Sequence, residues 1–188
     1  MPVEKRTSVL LLGGALVLAL CGCVSNPPQV ESRSEEAFVP TFASEEEAFT
    51  AAVAAYVGYL NILTTIASED GIGMERLDIH AAPDVSAFAK GGLVTLQQEG
   101  LRTVGQQSAS KTVLQSYYPQ AESGVDIISI YVCVDVSNLD LVDHAGRSVV
   151  EADRPDQTPF EASFNLIGQD PAHLVVATNT VWAGDGVC

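Results

Sequence analysis

The segment at residues 125–136 constrains the fold more than any other part of this sequence. It reads Val-Asp-Ile-Ile-Ser-Ile-Tyr-Val-Cys-Val-Asp-Val and is the longest run rich in β-branched residues outside the N-terminus. Its even-numbered positions are apolar except for Asp126, whereas its odd-numbered positions mix apolar and polar residues. This pattern predicts a central strand that is covered on both faces and has a neighbouring strand on each side.

The N-terminus has the pattern of a secretory signal. Basic residues precede an apolar segment at residues 9–20, which is too short to span a ~30 Å hydrocarbon core comfortably. The segment ends in Leu20-Cys21-Gly22-Cys23. These residues resemble the cleavage motif of bacterial lipoproteins, with an aliphatic residue, then a small residue directly before the lipidated cysteine. The resemblance implies acylation of Cys23; an ordinary signal peptide or an uncleaved membrane helix is the alternative.

We therefore expect three parts in the chain. Residues 1–22 form a lipoprotein signal peptide, residues 23–43 a lipid-anchored flexible tether, and residues 44–188 a single domain. The tether is rich in Ser, Asn, Gln and Glu, and its prolines exclude regular structure. The chain without its signal has 166 residues, enough for one domain with a substantial core.

The chain is strongly acidic. Its formal net charge is −15 at pH 7, and because residues 1–22 contribute +1, the mature chain carries −16. Such a surface repels phosphate backbones and anionic lipid headgroups. We expect no nucleic-acid partner, and we expect membrane attachment through acylated Cys23 rather than through a basic patch.

Two cysteines remain once Cys21 leaves with the signal and Cys23 is acylated. In an exported protein the remaining pair is expected to form a disulfide, here between Cys133 in the central strand and Cys188. Two free thiols are the alternative. A zinc site is disfavoured because two cysteines without neighbouring histidines do not make a zinc ligand set.

The first half of the domain has the patterns of three helices. Ser44 followed by three glutamates forms a capping pattern, and apolar side chains then cover more than half of the helix circumference to about residue 68. A short second helix is expected at residues 74–81. A third helix should begin at Pro83 and end at Gly100, a residue type common just beyond helix C-termini.

The third helix carries a predicted core face and two central glycines. The residues expected to face the core are Val85, Phe88, Leu93 and Leu96. Gly91 and Gly92 each cost about 1 kcal/mol in a helix interior. They indicate either close packing against a neighbour or a weak point in the helix.

The second half reads as strands. Residues 101–107 and 111–118 are candidates for one long, bent strand or for a hairpin. After the central strand, further candidates lie at residues 139–142, 147–150, 160–166 and 174–177. Strands joined by hairpins indicate an antiparallel sheet. Helices followed by strands make the α+β order, in which helices cover one face of the sheet.

Several short, different motifs are spread through the domain. They are Gly100-Leu101-Arg102-Thr103-Val104-Gly105, Tyr131-Val132-Cys133-Val134-Asp135-Val136-Ser137, Val142-Asp143 with Gly146, Asp153-Arg154-Pro155, and Trp182 with Gly184 and Cys188. Together with the helical half, this set resembles actinobacterial lipoproteins of the nuclear-transport-factor-2-like superfamily. The resemblance implies a cystatin-like α+β cone, with a curved antiparallel sheet wrapped around a long N-terminal helix and two shorter helices.

The resemblance also implies a cavity inside the cone. Relatives include ketosteroid isomerases and polyketide cyclases, in which acidic residues and tyrosines act on an apolar substrate. A carboxyl group in an apolar pocket has the raised pKa that this chemistry needs. Tyr131 and Asp135, on the odd face of the central strand, and His80 are therefore the candidates for a site in the cone.

Each candidate also has a structural explanation. Asp135 can be a strand-end residue that is hydrogen-bonded to a loop or to Arg154. Tyr131 can pack in the core, and His80 can complement the end of a short helix. Trp182 is expected in the core near the disulfide, with a contact surface as the alternative.

The sequence contains no motif for metal, cofactor or nucleophile chemistry. The three histidines are scattered, and the acidic residues near position 140 do not match a calcium-binding loop. There is no phosphate loop and no dinucleotide fingerprint. We therefore assign no catalytic residues, no metal and no cofactor from the sequence.

These observations predict a non-enzymatic, membrane-tethered domain on the extracytoplasmic face of the cell membrane. It is expected to bind a protein partner or a small apolar ligand, and the partner can be a second copy in a homodimer. The alternative is a small isomerase- or cyclase-like enzyme that uses acid-base residues in the cone.

Overall fold

A computed structural model describes residues 42–167 and 173–188 of the chain. The predicted signal peptide, Cys23 and nearly all of the tether lie outside the described residues. Their boundaries therefore stay predictions.

Within the described residues, three helical segments come first. α1 spans Glu45–Ser68, a 3₁₀ helix spans Met74–Ile79, and α2 spans Pro83–Glu99. Ser44 Oγ accepts a hydrogen bond from the Glu47 amide at 3.1 Å, and the Glu47 carboxylate accepts one from the Ala43 amide at 2.8 Å. The capping pattern is present, with Ala43 rather than Ser44 as the return donor.

Gly100 ends α2, as the sequence predicts. Its φ of 69° lies in the left-handed region that favours glycine. A Cβ atom at this position would lie 2.1 Å from His144 Nε2, so a larger residue would also clash with the neighbouring loop.

In residues 102–167 and 173–188, six strands follow the helices. They are β1 Arg102–Gly105, β2 Ser108–Tyr117, β3 Ile128–Asp135, β4 Leu139–Val142, β5 Gln157–Leu166 and β6 Leu174–Val181. Four of them form one antiparallel sheet in the order β2-β3-β5-β6, and β1 pairs antiparallel with β4 in a second sheet. The predicted α+β order, with a central strand inside residues 125–136, is confirmed.

The core lies between α1 and one face of the four-stranded sheet. The even-numbered side chains of β3 are buried there, from Ile128 to Val134, and they pack in one apolar cluster with Tyr56 of α1 and Phe164 of β5. Burial raises the pKa of Tyr56, whose hydroxyl donates to Asn179 Oδ1 at 3.0 Å. The odd-numbered face is half-buried, apart from Cys133, so the expected cover on both faces is complete on one face only.

The connection between β1 and β2 differs from the prediction. It makes neither one bent strand nor a hairpin, because the two strands belong to different sheets. Gly105 has a φ of 92°, and a Cβ there would lie 2.0 Å from the Asn138 carbonyl oxygen. This close approach of backbones needs glycine and redirects the chain from one sheet to the other.

The candidate strands at residues 139–142 and 147–150 are joined by a turn but do not form a hairpin. The Asp143 amide donates to the Arg147 carbonyl at 2.9 Å, and the Gly146 amide donates to the Asp143 carbonyl at 2.9 Å. Residues 147–150 form a single bridge, from Ser148 to Val142, and no strand. β4 takes β1 as its strand partner instead.

The predicted core face of α2 is wrong at Phe88. This ring is 86 % exposed, whereas the buried residues of the helix are Ser86, Ala89 and Leu93. Ala89 and Leu93 belong to the apolar core, and Ser86 donates a hydrogen bond to Asp78 of the 3₁₀ helix.

Other residues of α2 fit the prediction better. Val85 and Leu96 are partly buried and pack against the core. A Cβ atom on either Gly91 or Gly92 would meet no neighbour within 4 Å. Close packing therefore does not explain these glycines.

α1 is long and apolar enough to cross a membrane by length and composition alone. Its buried residues, among them Ala52, Tyr56 and Leu60, pack in the domain core. The same composition suits a helix that is covered by a sheet.

Candidate functional site

Tyr131 lies on the face of the sheet opposite α1. Its ring packs on Trp182, with the ring centroids 4.6 Å apart. Both side chains are half-buried. Tyr131 therefore does not point into the helix-covered interior, and Trp182 covers the outer face of the sheet instead of entering the core.

Asp135 is held by the loop that follows β3. Its carboxylate accepts hydrogen bonds from the Ser137 hydroxyl and amide, and from Gln157 Nε2 at 3.1 Å. These bonds, the Ser137 hydroxyl first, hold the pKa of Asp135 below its usual value. Arg154 donates to the carbonyls of Val136 and Leu139 and not to Asp135. A lowered pKa is the opposite of what a general acid in an apolar pocket needs.

His80 lies on the helix side of the sheet. Its carbonyl accepts from the Val176 amide at 3.0 Å, and its ring is close enough to α1 that a Cβ at Gly58 would lie 3.4 Å from His80 Nδ1. Burial and then the charge of His173 lower the pKa of His80. The structure does not bring His80 together with Tyr131 and Asp135, because the sheet lies between them.

A disulfide joins Cys133 to Cys188, with Cα atoms 5.2 Å apart. The C-terminal segment lies against the outer face of the sheet, where Val187 is buried and Lys111 Nζ donates to the Gly186 carbonyl at 2.8 Å. The disulfide thus keeps the C-terminal segment beside the Tyr131–Trp182 pair.

A groove of about 590 Å³ lies between the start of α2, the C-terminal end of β5 and the N-terminal end of β6. We call it the α2–β5 groove. Its walls are largely apolar and include Ala82, Ala87, Leu166 and Val175. Its polar residues are Asp78, Ser86, Lys90, Ser123 and Asn165.

Asp78 organises the polar edge of this groove. Its Oδ1 accepts a hydrogen bond from the buried Ser86 hydroxyl at 2.6 Å and forms an ion pair with Lys90. The bond from Lys90, and then the bond from Ser86, lower the pKa of Asp78. The two donors are one helical turn apart on α2, so they reach the same carboxylate.

Nothing in the sequence marks Asp78, Ser86 and Lys90 as a group. The spacing of four residues between Ser86 and Lys90 puts them on one helix face. However, nothing in the sequence indicates that residue 78 meets that face. Among the described residues, no group of three or more His, Cys, Asp or Glu side chains is placed to hold a metal ion.

Replacing Asp78 by asparagine should make the free energy of unfolding fall less steeply as the pH is lowered. The folded pKa of Asp78 lies below its unfolded value of about 3.9, so its stabilisation is present above that pH and is lost as the pH falls through the folded pKa. We expect a small loss of stability at pH 7 and a flatter profile below about pH 4, measured by urea unfolding across a pH series.

Lys90→Met is the matched control for this prediction. It removes the main cause of the lowered pKa of Asp78 and should flatten the pH dependence of stability below about pH 4 in the same way. The double variant should add little, because the two residues act as one pair. Fully additive effects would contradict the pairing.

Comparisons with known proteins bear on the fold alone. No protein-family model matches the chain, and no curated protein matches it. The crystal structure of the intermembrane space region of the chloroplast protein ARC6 is similar, with a TM-score of 0.53 and 12 % identity, over 72 % of this chain and 97 % of that one. A de novo designed β-sheet protein, studied by NMR, aligns over 75 % of this chain and 92 % of its own with 16 % identity, but its TM-score of 0.34 is too low to carry an argument. The likeness to the ARC6 region therefore supports an α+β fold and no function.

Proposed function

We propose that this protein is a lipid-anchored binding domain on the outer face of the cell membrane, and that it has no catalytic activity. In this proposal Cys23 carries the anchor, residues 24–43 form the tether, and the domain presents the α2–β5 groove to a protein partner. The proposal includes a cystatin-like cone of the nuclear-transport-factor-2-like kind, with the sheet wrapped around α1.

The observation that carries the proposal is the filling of the sheet's inner face. Tyr56, Ile130, Val132 and Phe164 are all fully buried where a cone enzyme would keep its substrate cavity. The candidate acid-base residues also lie apart, on opposite sides of the sheet. This arrangement favours binding at the surface over the isomerase- or cyclase-like alternative.

The shape of the α2–β5 groove favours a protein segment over a small apolar ligand. Small-molecule sites usually bury most of their ligand in a concave pocket, whereas this groove is open along the side of α2. Its apolar walls and its polar edge at Asp78 and Lys90 suit an extended peptide with alternating side chains.

Site-specific photo-crosslinking in intact cells tests the groove. A benzophenone amino acid at Ala87 should yield an adduct of defined mass with a membrane or surface protein. An adduct of twice the chain mass would identify the partner as a second copy. The same amino acid at exposed Val149, outside the groove residues, is the control.

A blocking variant completes the test. Ala82→Arg places a long side chain in the groove and should abolish the Ala87 adduct while leaving the domain folded. Equal adducts from positions 87 and 149, or an Ala87 adduct that survives Ala82→Arg, would contradict binding in the groove.

Lipidation has its own test. Mass spectrometry of the membrane fraction should find a mature chain that begins at acylated Cys23, and Cys23→Ala should release the protein into the soluble fraction. Two acyl chains give stable anchoring, and the strongly acidic composition of the chain disfavours attachment through a basic patch. Normal membrane retention of Cys23→Ala would overturn the lipid anchor.

A further inference from the structure

Several exposed apolar side chains meet at one end of the four-stranded sheet. Tyr118 follows β2 and is 60 % exposed, Val125 precedes β3 and is 52 % exposed, and Ile167 follows β5 and is 47 % exposed. Val125 lines the α2–β5 groove together with Ile167, and it lines a second hollow together with Tyr118. These three side chains, with the intervening residues 119–121, form a continuous surface that we call the loop-end surface.

The chain enters the domain beside this surface. Phe42 is buried, and its ring packs edge-on against Tyr117, with the centroids 6.3 Å apart. Tyr117 directly precedes Tyr118. The tether that runs from Cys23 therefore joins the domain next to the loop-end surface.

We propose that the loop-end surface rests on the lipid bilayer in which Cys23 is anchored. This inference rests on the proposed function, because it needs the anchor, and it goes beyond the anchor in giving the domain a fixed orientation. The occupant of the surface is the neutral interfacial zone of the bilayer. Tyrosine and aliphatic side chains suit that zone, where one end of a side chain is apolar and the other is wet.

The charges around the surface agree with this occupant. Residues 117–127 contain no Lys and no Arg, so attraction to anionic headgroups does not explain binding. Asp126 turns its carboxylate toward the sheet, where its Oδ1 accepts from the Ser163 hydroxyl at 2.7 Å. Residues 117–127 thus contain two acidic residues, Glu122 and Asp126, and no basic ones, so an anionic bilayer should weaken the contact.

The tether makes a weak contact effective. About 18 residues separate Cys23 from Phe42, and the tether predicted from their composition would have a root-mean-square span of roughly 24 Å. The bilayer is then presented at a millimolar-scale effective concentration. The α2–β5 groove shares Val125 and Ile167 with this surface, so a partner bound at the α2 side of the groove would lie close to the membrane.

The test uses the chain from Cys23 onward, which contains the whole core cluster of the described residues, beginning at Phe42. With Cys133 and Cys188 in a disulfide, the Cys23 thiol can be coupled to a maleimide lipid in phosphatidylcholine vesicles. A single tryptophan is introduced as Tyr118→Trp in a Trp182→Phe background, and quenching by nitroxide-labelled lipid is measured. We expect roughly two-fold quenching and a blue shift of the emission.

Val104→Trp in the same background is the matched control. Val104 is also exposed, but it lies in β1 at the other end of α1. The neighbouring Thr103 hydroxyl donates to the carbonyl of Thr64, which the helix rise places about 30 Å from the start of α1, where the tether joins. The emission of the Val104→Trp variant should be nearly unquenched. Val125→Asp should reduce the quenching at position 118 to the level of the control. Replacing a third of the lipid by phosphatidylglycerol should reduce the quenching at position 118 partially.

Three outcomes would overturn the proposal. The first is equal quenching at positions 118 and 104. The second is quenching that grows with anionic lipid. The third is a blue shift at position 118 that rises with protein density without quenching, which would assign the surface to a second copy. Because the anchor is chemical, each result is independent of whether cells acylate Cys23.

A measurement on the unsubstituted chain does not depend on whether the tryptophan variants fold. Hydrogen exchange of residues 117–126 should slow at least about three-fold when the unmodified chain is anchored, relative to the free chain, because bilayer contact limits opening and solvent access. Unchanged exchange in this segment would also overturn the proposal.

Discussion

Replacing Phe164 by alanine should lower the free energy of unfolding by about 3–5 kcal/mol, the usual cost of removing a buried phenylalanine. The ring is fully buried on the inner face of β5. Its strand neighbours in register are Ile128 of β3 and Val176 of β6, which are also fully buried. The cavity would open at the centre of the sheet, where the backbone cannot easily collapse. Equilibrium urea unfolding measures the effect.

Phe88→Ala is the matched control, because it removes the same side chain from an exposed site. Its ring is almost entirely in solvent, so the change should stay within about 0.5 kcal/mol. Comparable losses from the two variants would mean that Phe88 is buried in the folded protein. That result would contradict the orientation of α2 described above.

Breaking the disulfide should have the second large effect. Cys133 and Cys188 close a loop with a sequence separation of 55, for which chain entropy gives about 4 kcal/mol as an upper value. For a domain of this size the melting temperature should fall by roughly 10 °C. Cys133→Ala, Cys188→Ala and the double variant should show nearly equal losses in calorimetry under non-reducing conditions.

The equality of these three variants is the discriminating result. Each one removes the same crosslink, so the double variant should add only the small packing loss at buried Cys133. Additive losses would show that the cysteines stabilise the fold separately. Adding a reductant to the unsubstituted protein should reproduce the loss, and it should leave the double variant unchanged.

The helical half shows how far periodicity can be trusted. The start of α1 at a capping serine and the end of α2 at Gly100 follow from local backbone chemistry, and both were predictable. The core face of α2 was predictable only in part. Positions 85, 88, 93 and 96 form one apolar arc about 140° wide, and Phe88 lies at the edge of that arc, away from the buried positions 86, 89 and 93. The buried face includes the small residues Ser86 and Ala89, and Ser86 bonds Asp78 of the 3₁₀ helix.

The candidate site shows a different limit. Alternation along residues 125–136 separates Tyr131 and Asp135 from the apolar even positions, and the structure keeps that separation. Placing these polar residues inside a cavity came from the resemblance and not from the alternation. The inner face is occupied by the apolar residues themselves, so Tyr131 meets Trp182 and Asp135 meets Ser137 on the other side.

The sequence by itself determined the local features of this protein. These include the ends of the two α-helices, the apolar face of the central strand, the α+β order and the acidic charge that disfavours nucleic acid. Each depends on residues close together in the chain or on composition. Only the tertiary structure decided that β1 pairs with β4, that Asp78 meets Ser86 and Lys90, and that Tyr118, Val125 and Ile167 share one surface. These contacts join residues from separate elements, and their formation depends on how the whole chain packs α1 against the sheet.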